Sequence, residues 1–318
     1  MPAITATTPG KIILFGEHAV VYGQPAIAVP VNQVKARAII SPGIGQPSGW
    51  IYLQAPDIDL EDTLEDIPQD HPLVIAIKEV LQETGIEQPP AMIVRITSTI
   101  PVAAGLGSGA AVSVAMIRAL SEFLGVILSD ERVSQMTFEV EKIYHGTPSG
   151  IDNSVITYQQ PIYFSRGDGT NSPQMEIIRV KKPFTLVIGD SGIPSPTAST
   201  VGDVRKAWQV NKTVYQELFQ KTGRITEQAR TAITKGNNEL LGPLMDANQE
   251  LLGKMGVSSP ELDHLIHAAR ETGAQGAKLS GGGKGGNMIA LASPEIAHQI
   301  AGALSEAGAV RTIITTVE

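Results

Sequence analysis

The chain has 318 residues, 42% of them hydrophobic, a net charge of −8 and no cysteine. That length suits two domains with sizeable cores, while the negative balance gives no bulk attraction to nucleic acid or acidic membranes, so an anionic ligand must be held by local devices. The missing cysteines exclude disulfides, thiolate metal sites and cysteine nucleophiles; with no signal-like apolar region at the start and no run of membrane length, a soluble cytoplasmic protein is expected.

In chain order, Ile12 to Phe15 reads as a buried strand ending in Gly16-Glu17-His18, and Tyr22-Gly23-Gln24-Pro25 turns the chain into a second strand. Segments starting at Gln33 and Trp50 alternate as half-buried strands, separated by a Gly/Pro/Ser-rich stretch over 42–49. Leu73 to Thr84 has helical spacing, and the segment from Ala91 alternates as a strand up to Pro101. After a Gly-rich cluster, the segment from Ala110 is apolar over one broad face, as a buried helix requires. Asp130 to Tyr144 reads as the next helix, followed by the loop HGTPSGIDN. A strand from Phe184 opens a new block, with helical patterns over Val201–Phe219, Ile225–Lys235, Asn238–Met255 and Pro260–Thr272. The strand AKLS, a Gly run over 281–286, the strand NMIALA, a helix from Pro294 to Ala307 and a terminal strand complete the chain. Strands and helices mix without a steady βαβ rhythm, which favours an α+β fold with domains over 1–178 and 179–318.

The first Gly-rich cluster sets Gly105, Leu106, Gly107, Ser108, Gly109 and Ala110 at the start of a strong helix. Glycines allow backbone amides to approach a ligand, and the helix start attracts anions, so a phosphate site is one reading; a tight strand-to-helix connection with Ser108 as N-cap is the other. The second cluster contains G-x-G-x-x-G at Gly281, Gly283 and Gly286 but leads into a strand, where a dinucleotide fold needs a helix. It reads as a flexible loop that covers or contacts a ligand, with Lys284 either a phosphate contact or a solvated lysine. Gly-rich loops in both halves of the chain point to one ligand held between domains.

Glu141 and Asp152 supply carboxylates of the kind that hold a phosphate-bound metal and orient an attacking hydroxyl; an exposed ion pair and an Asx-turn are the structural alternatives. Lys11 reads either as a cation facing the site or as a snorkelling strand end, and His18 as a ligand to substrate hydroxyls or a satisfied core residue. His264-x-x-His267 lacks a third ligand and reads as structural.

Together and in this order, PGKIILFGEHAVVYGQPAIA, PVAAGLGSGAA, HGTPSGIDN and KLSGGGKGGNMIAL resemble the motifs of the GHMP kinases over nearly the whole chain. The Gly-Glu-His version is similar to that of the members acting on mevalonate; galactokinases carry an Asn-rich version, and homoserine kinases usually lack the Glu-His pair. The resemblance implies a two-domain GHMP kinase fold, with an N-terminal domain like ribosomal protein S5 domain 2 and a ferredoxin-like C-terminal domain. It implies transfer of the ATP γ-phosphoryl to the C5 hydroxyl of mevalonate, with Mg²⁺, in a protein that does not bind nucleic acid or membranes and assembles as a homodimer. By the same resemblance Asp152 is the catalytic aspartate and Lys11 the lysine that assists it. Residues 105–110 form the ATP-phosphate loop, Glu141 and Ser108 hold the metal, and Glu17, His18, Thr197, Gly282 and Gly283 lie on the acceptor side. Ser108-Gly109 stands where the family has a serine pair, and Ser195 where animal relatives have a basic residue. The alternatives are a GHMP kinase for phosphomevalonate, the 3-hydroxyl of mevalonate or a sugar, and a non-catalytic sensor on the same fold.

Overall fold

The computed structural model describes residues 2–102, 104–145, 149–166, 174–195 and 197–318; Gly146, Thr147 and Pro148, in the loop before Asp152, lie outside the described residues. The chain runs through strands β1 (Ile4–Phe15) and β2 (Pro25–Pro42), joined by a 3-10 turn over Ala19–Tyr22, then β3 (Ile51–Ala55) and β4 (Leu60–Thr63). Helix α1 (Pro72–Thr84), strand β5 (Met92–Ser98) and helices α2 (Ser108–Phe123), α3 (Asp130–His145) and α4 (Ile151–Tyr158) follow. Next come β6 (Ile162–Ser165), β7 (Gln174–Ile177), β8 (Phe184–Asp190), α5 (Thr197–Val210), α6 (Lys212–Lys235), α7 (Leu241–Lys254) and α8 (Pro260–Glu271). The chain ends with β9 (Gly276–Ser280), β10 (Asn287–Ala292), α9 (Ala297–Glu306) and β11 (Arg311–Val317).

Two compact units interleave along this chain. The first comprises Met1–Gly10, Val34–Pro101 and Gly107–Gln159, the second Lys11–Gln33, Val102–Leu106 and Gln160–Glu318. The expected division at 178/179 rests on the new block of elements that opens with the Phe184 strand; the units follow packing.

In the first unit β4 pairs with β3, β3 with β5 in parallel, and β5 with the C-terminal half of β2 from Ala36 to Pro42. Helices α1, α2 and α3 pack on one another, and α4 packs on α2 and α3. The broad apolar face of α2 is buried at Ala111, Val114, Ala115, Ile117 and Leu120, as its pattern requires. In the second unit the N-terminal residues of β2 pair with β6, which pairs with β7, and an antiparallel sheet of order β11-β8-β10-β9 carries α8 and α9. Strands β8, β9, β10 and β11, with helices after β8 and between β10 and β11, follow the β-α-β-β-α-β plan of a ferredoxin-like domain. Its core joins Val187, Leu279, Met288 and Ala290 of the sheet to Leu252, Leu265, Ile300 and Leu304 of the helices.

Several elements differ from their sequence reading. Strand β2 is continuous over 25–42, where the sequence suggests two strands. Pro30 falls between the residues paired to β6 and those paired to β5, so no bond to either strand needs the N–H that proline lacks. Helix α6 runs unbroken through Thr222-Gly223, and the break lies earlier, at Asn211. Thr222 and Thr226 are buried in α6, their hydroxyls satisfied by the carbonyls of Leu218 and Thr222. A Cβ at Gly223 would stand 2.1 Å from Gln24 Oε1, the end of a flexible side chain that lies across the helix there.

Helix α7 packs on β9 through a close backbone approach. A Cβ on Gly242 would stand 2.1 Å from the carbonyl oxygen of Gln275, and one on Gly276 would stand 2.2 Å from that of Gly242. Backbone atoms cannot swing aside as a flexible side chain does. Gly242→Ala, although favoured by helix propensity, is therefore expected to lower stability by roughly 1–3 kcal/mol, the usual cost of overpacking, as a shift in the urea midpoint.

Candidate active site

Strand β1 ends in a turn that only an unusual backbone permits. Gly16 has φ +94°, and a Cβ there would stand 2.3 Å from Pro25 O. His18 follows at φ +60°, a left-handed conformation for a residue with a side chain. The 3-10 turn behind it is anchored by Tyr22, stacked on Phe219 at 4.0 Å between ring centroids and tilted on Trp208 at 5.2 Å.

The turn sends Glu17 inward. Its carboxylate accepts a hydrogen bond from Lys278 Nζ, in an ion pair whose side chains are 1% and 0% exposed. The same ammonium donates to Leu279 O at 2.6 Å. Burial pushes the Glu17 carboxyl up and the Lys278 ammonium down from their ordinary values, and their mutual attraction opposes both shifts. His18 Nε2 lies 2.9 Å from Gly282 O. A carbonyl can only accept, so Nε2 carries the proton. Burial, aided by the nearby charge of Lys284 and opposed by the Gly282 bond, lowers the His18 pKa to about 4, and the ring is neutral at pH 7.

The 281–286 turn is held on all sides, which corrects the expectation of a flexible loop. Lys284 N–H donates to Val257 O at 2.7 Å, Gly286 N–H to Ile193 O at 2.8 Å, and Ser195 Oγ to Gly283 O at 2.7 Å. Ser191 donates to Gly286 O through both its N–H (2.9 Å) and its Oγ (2.8 Å). A Cβ at Gly283 would stand 2.1 Å from Val257 O, so the glycines here serve close packing. Lys284 forms an ion pair with Asp203 at 2.7 Å on the surface. Thr197 is the first residue of α5, exposed, with its Oγ1 3.3 Å from where a Cβ on Gly282 would be. His18, Ser195, Thr197, Gly282 and Gly283 thus form one neighbourhood within the second unit.

The first Gly-rich cluster joins this neighbourhood at its N-terminal end. Asn287 Nδ2 donates to Ala104 O, and Lys11 N–H donates to Leu106 O at 2.9 Å. Lys11 is buried. Gly105 and Gly107 have φ +81° and +74°, and Gly107 is the N-cap of α2, with no side-chain cap hydrogen bond. Ser108 is therefore the first helical residue and not the cap. Gly109 and Ala110 complete the first turn of α2.

The first unit holds the carboxylates. Glu141, buried at 3% exposure, lies near the C-terminal end of α3, and Asp152, half-buried, lies in the first turn of α4 after Gly150 at φ +88°. Ser154 Oγ donates to Gly150 O at 2.7 Å, and Ser149 Oγ accepts from Ile151 N–H at 3.3 Å, so the start of α4 is stitched by its own serines. His267, read as structural, pairs with Glu271 at 3.1 Å on the exposed face of α8.

Sequence reasoning missed Lys278, Ser280 and Asn287. The signal was present for Lys278: a cation inside an apolar five-residue strand needs a buried counter-charge, and Glu17 is one of few acids in an equally apolar setting. Ser280 Oγ accepts from Ile13 N–H at 3.1 Å and donates to Ile13 O at 2.8 Å, a pairing invisible without the fold.

Residues 72–160 match the GHMP kinases N terminal domain and residues 229–310 the GHMP kinases C terminal domain. The chain belongs to the GHMP kinase family and is an ATP-dependent kinase. Within that family, a mevalonate kinase of Thermococcus sibiricus is 35% identical over 99% of this chain and 96% of its own length. One of Saccharolobus solfataricus is 32% identical over 92% of this chain and 91% of its own length. The crystal structure of L. major mevalonate kinase in complex with R-mevalonate matches with a TM-score of 0.83 and 32% identity, covering 99% of this chain and 95% of that one.

The low pKa of His18 sets a pH dependence of stability. An unfolded histidine titrates near 6.5 and His18 near 4, so as pH falls the unfolded chain takes up this proton first. The stability contributed by neutral His18 is full above pH 6.5 and is lost as pH falls from 6.5 toward 4, at up to about 1.4 kcal/mol per pH unit. Urea unfolding in this window is expected to show a flatter pH dependence for His18→Gln than for the wild type, by about that slope.

Proposed function

We propose that the protein transfers the γ-phosphoryl group of ATP to the C5 hydroxyl of mevalonate, forming 5-phosphomevalonate and ADP. One observation carries this reading: in a chain similar to mevalonate kinases along its length, the Gly-Glu-His turn, Ser195, Thr197, the 281–286 turn and Ala104, Gly105 and Leu106 at the start of the first Gly-rich cluster all belong to one packed unit.

Each group has a task in the reaction. The hydroxyl oxygen at C5 attacks the γ-phosphorus, the bond from that phosphorus to the β–γ bridging oxygen breaks, and ADP leaves with the electron pair. Asp152 accepts or orients the proton that the hydroxyl gives up. Lys11 stabilises negative charge as it develops on the transferring group. Gly105, Leu106, Gly107, Ser108, Gly109 and Ala110 present backbone amides and the positive end of α2 to the ATP phosphates. His18, with its proton on Nε2, keeps Nδ1 as an acceptor for a substrate hydroxyl; Glu17, Thr197, Gly282 and Gly283 complete the acceptor side. Such transfers depend on positioning and electrostatics more than on covalent chemistry, which suits a site built from pinned turns.

Mg²⁺ fits the donors present: a buried carboxylate, Glu141, and a helix-start hydroxyl, Ser108, are hard oxygen ligands of the number Mg²⁺ takes when phosphates supply the rest. Bound there, it would neutralise charge on the phosphate oxygens. We place the active protein as a soluble homodimer in the cytoplasm, acting on mevalonate and ATP.

With ATP and Mg²⁺, ³¹P NMR is expected to show a phosphomonoester on C5 of mevalonate and no product from phosphomevalonate, homoserine or galactose. Turnover of another acceptor in its place would overturn the assignment. Asp152→Asn is expected to lower kcat by about two to four powers of ten; near-wild-type turnover would remove Asp152 from the mechanism.

A further inference from the structure

Two segments far apart in sequence, 13–18 and 278–282, are joined by side chains at successive points along their length. Ser280 Oγ bonds both backbone groups of Ile13, Lys278 Nζ bonds the Glu17 carboxylate, and His18 Nε2 bonds Gly282 O. The middle link is the unexpected one. A salt bridge with no access to water is a poor source of stability, since apolar residues of similar volume often replace one without loss. Its geometry suits a different task. Lys278 emerges from a strand whose five residues are all buried, and its ammonium is fixed at its base by Leu279 O. The carboxylate it holds belongs to the residue between Gly16 and His18, both at positive φ, where the chain most needs restraint.

We propose that Lys278 and Glu17 form a positioning strut for the acceptor site: the pair fixes the Gly16-Glu17-His18 turn against the 281–283 turn, so that the His18 ring and Gly282 are presented in one fixed arrangement. This rests on the reading of these turns as the acceptor side. Glu17 is buried against Lys278, so its part on the acceptor side is to position His18 and Gly282. Lys278, for which the family motifs provided no role, becomes the other half of the device.

The test is a cycle of Lys278→Met, Glu17→Leu and the double variant, each checked for cooperative unfolding. The double variant carries no unpaired buried charge, so it remains informative if a single variant does not fold. The strut predicts that kcat/KM for mevalonate falls about ten- to a hundredfold, the scale of a small misplacement, while KM for ATP stays at the wild-type value. It also predicts that the double variant is no worse than either folded single one, because the two residues act as a unit. A second readout needs no substrate: ¹⁵N NMR of the His18 ring is expected to show loss of its fixed Nε2–H form in every variant. Wild-type-like His18 signals, unchanged mevalonate kinetics in the double variant, or additive losses would each overturn the strut. A wild type that binds ATP but turns over no mevalonate would instead sink the acceptor reading, with the NMR result still deciding whether the strut exists.

Discussion

Lys278 and Glu17 carry opposite charges in a place without water, and that constraint organises much of what surrounds them. Neither charge is tolerable alone: burial drives each toward its neutral form, and only a partner at contact distance offsets that drive. The end of β1 must therefore lie where the side chain of β9 can reach it. Ser280 repeats the requirement in neutral form, lending its hydroxyl to both backbone groups of Ile13, so β9 and β1 are tied by side chains where no strand ladder runs between them. The His18 turn follows from where these ties leave the chain.

The second determinant is close approach of backbone to backbone. Gly16, Gly242, Gly276 and Gly283 each face a carbonyl oxygen at a distance that excludes a Cβ. Glycine is usually read as flexibility, and the 281–286 run invites that reading. Here the missing side chains allow the turn to be packed and hydrogen-bonded by Ile193, Ser195 and Val257, which makes it a fixed surface. For phosphoryl transfer the distinction matters, because a site that works by positioning loses rate when its walls move.

Much of this was legible in the sequence, and the pattern of what was not is physical. Amphipathic helices such as α1, α2 and α3 and the buried strand β8 announce themselves by periodicity, since a single face or run must be apolar. Short strands such as β4, β6 and β7 carry four residues each, too few for a period to stand out. Two elements read as divided, β2 and α6, are continuous in the structure: β2 passes Pro30 at a change of strand partner, and α6 passes Gly223 beside Gln24. The order of motifs identified the family and the candidate residues, but Lys278 stayed hidden because its meaning lies in Glu17, 261 residues away.

The same distance limits what any local motif can convey about this kind of site. Ala104 directly precedes the proposed phosphate loop and Asn287 is the first residue of β10, yet a single side-chain bond from Asn287 fixes the carbonyl of Ala104. Asn287 directly follows the Gly286 turn, whose preceding residues hold Ser195 and His18. The chain thus links the phosphate side of the proposed reaction to its acceptor side through a few consecutive residues, 280–287, pinned at both ends by side-chain bonds to β1 and to Ala104. A rigid connector of that kind lets one short segment set the placement of both reactants, which is the property an in-line transfer between two bound molecules demands.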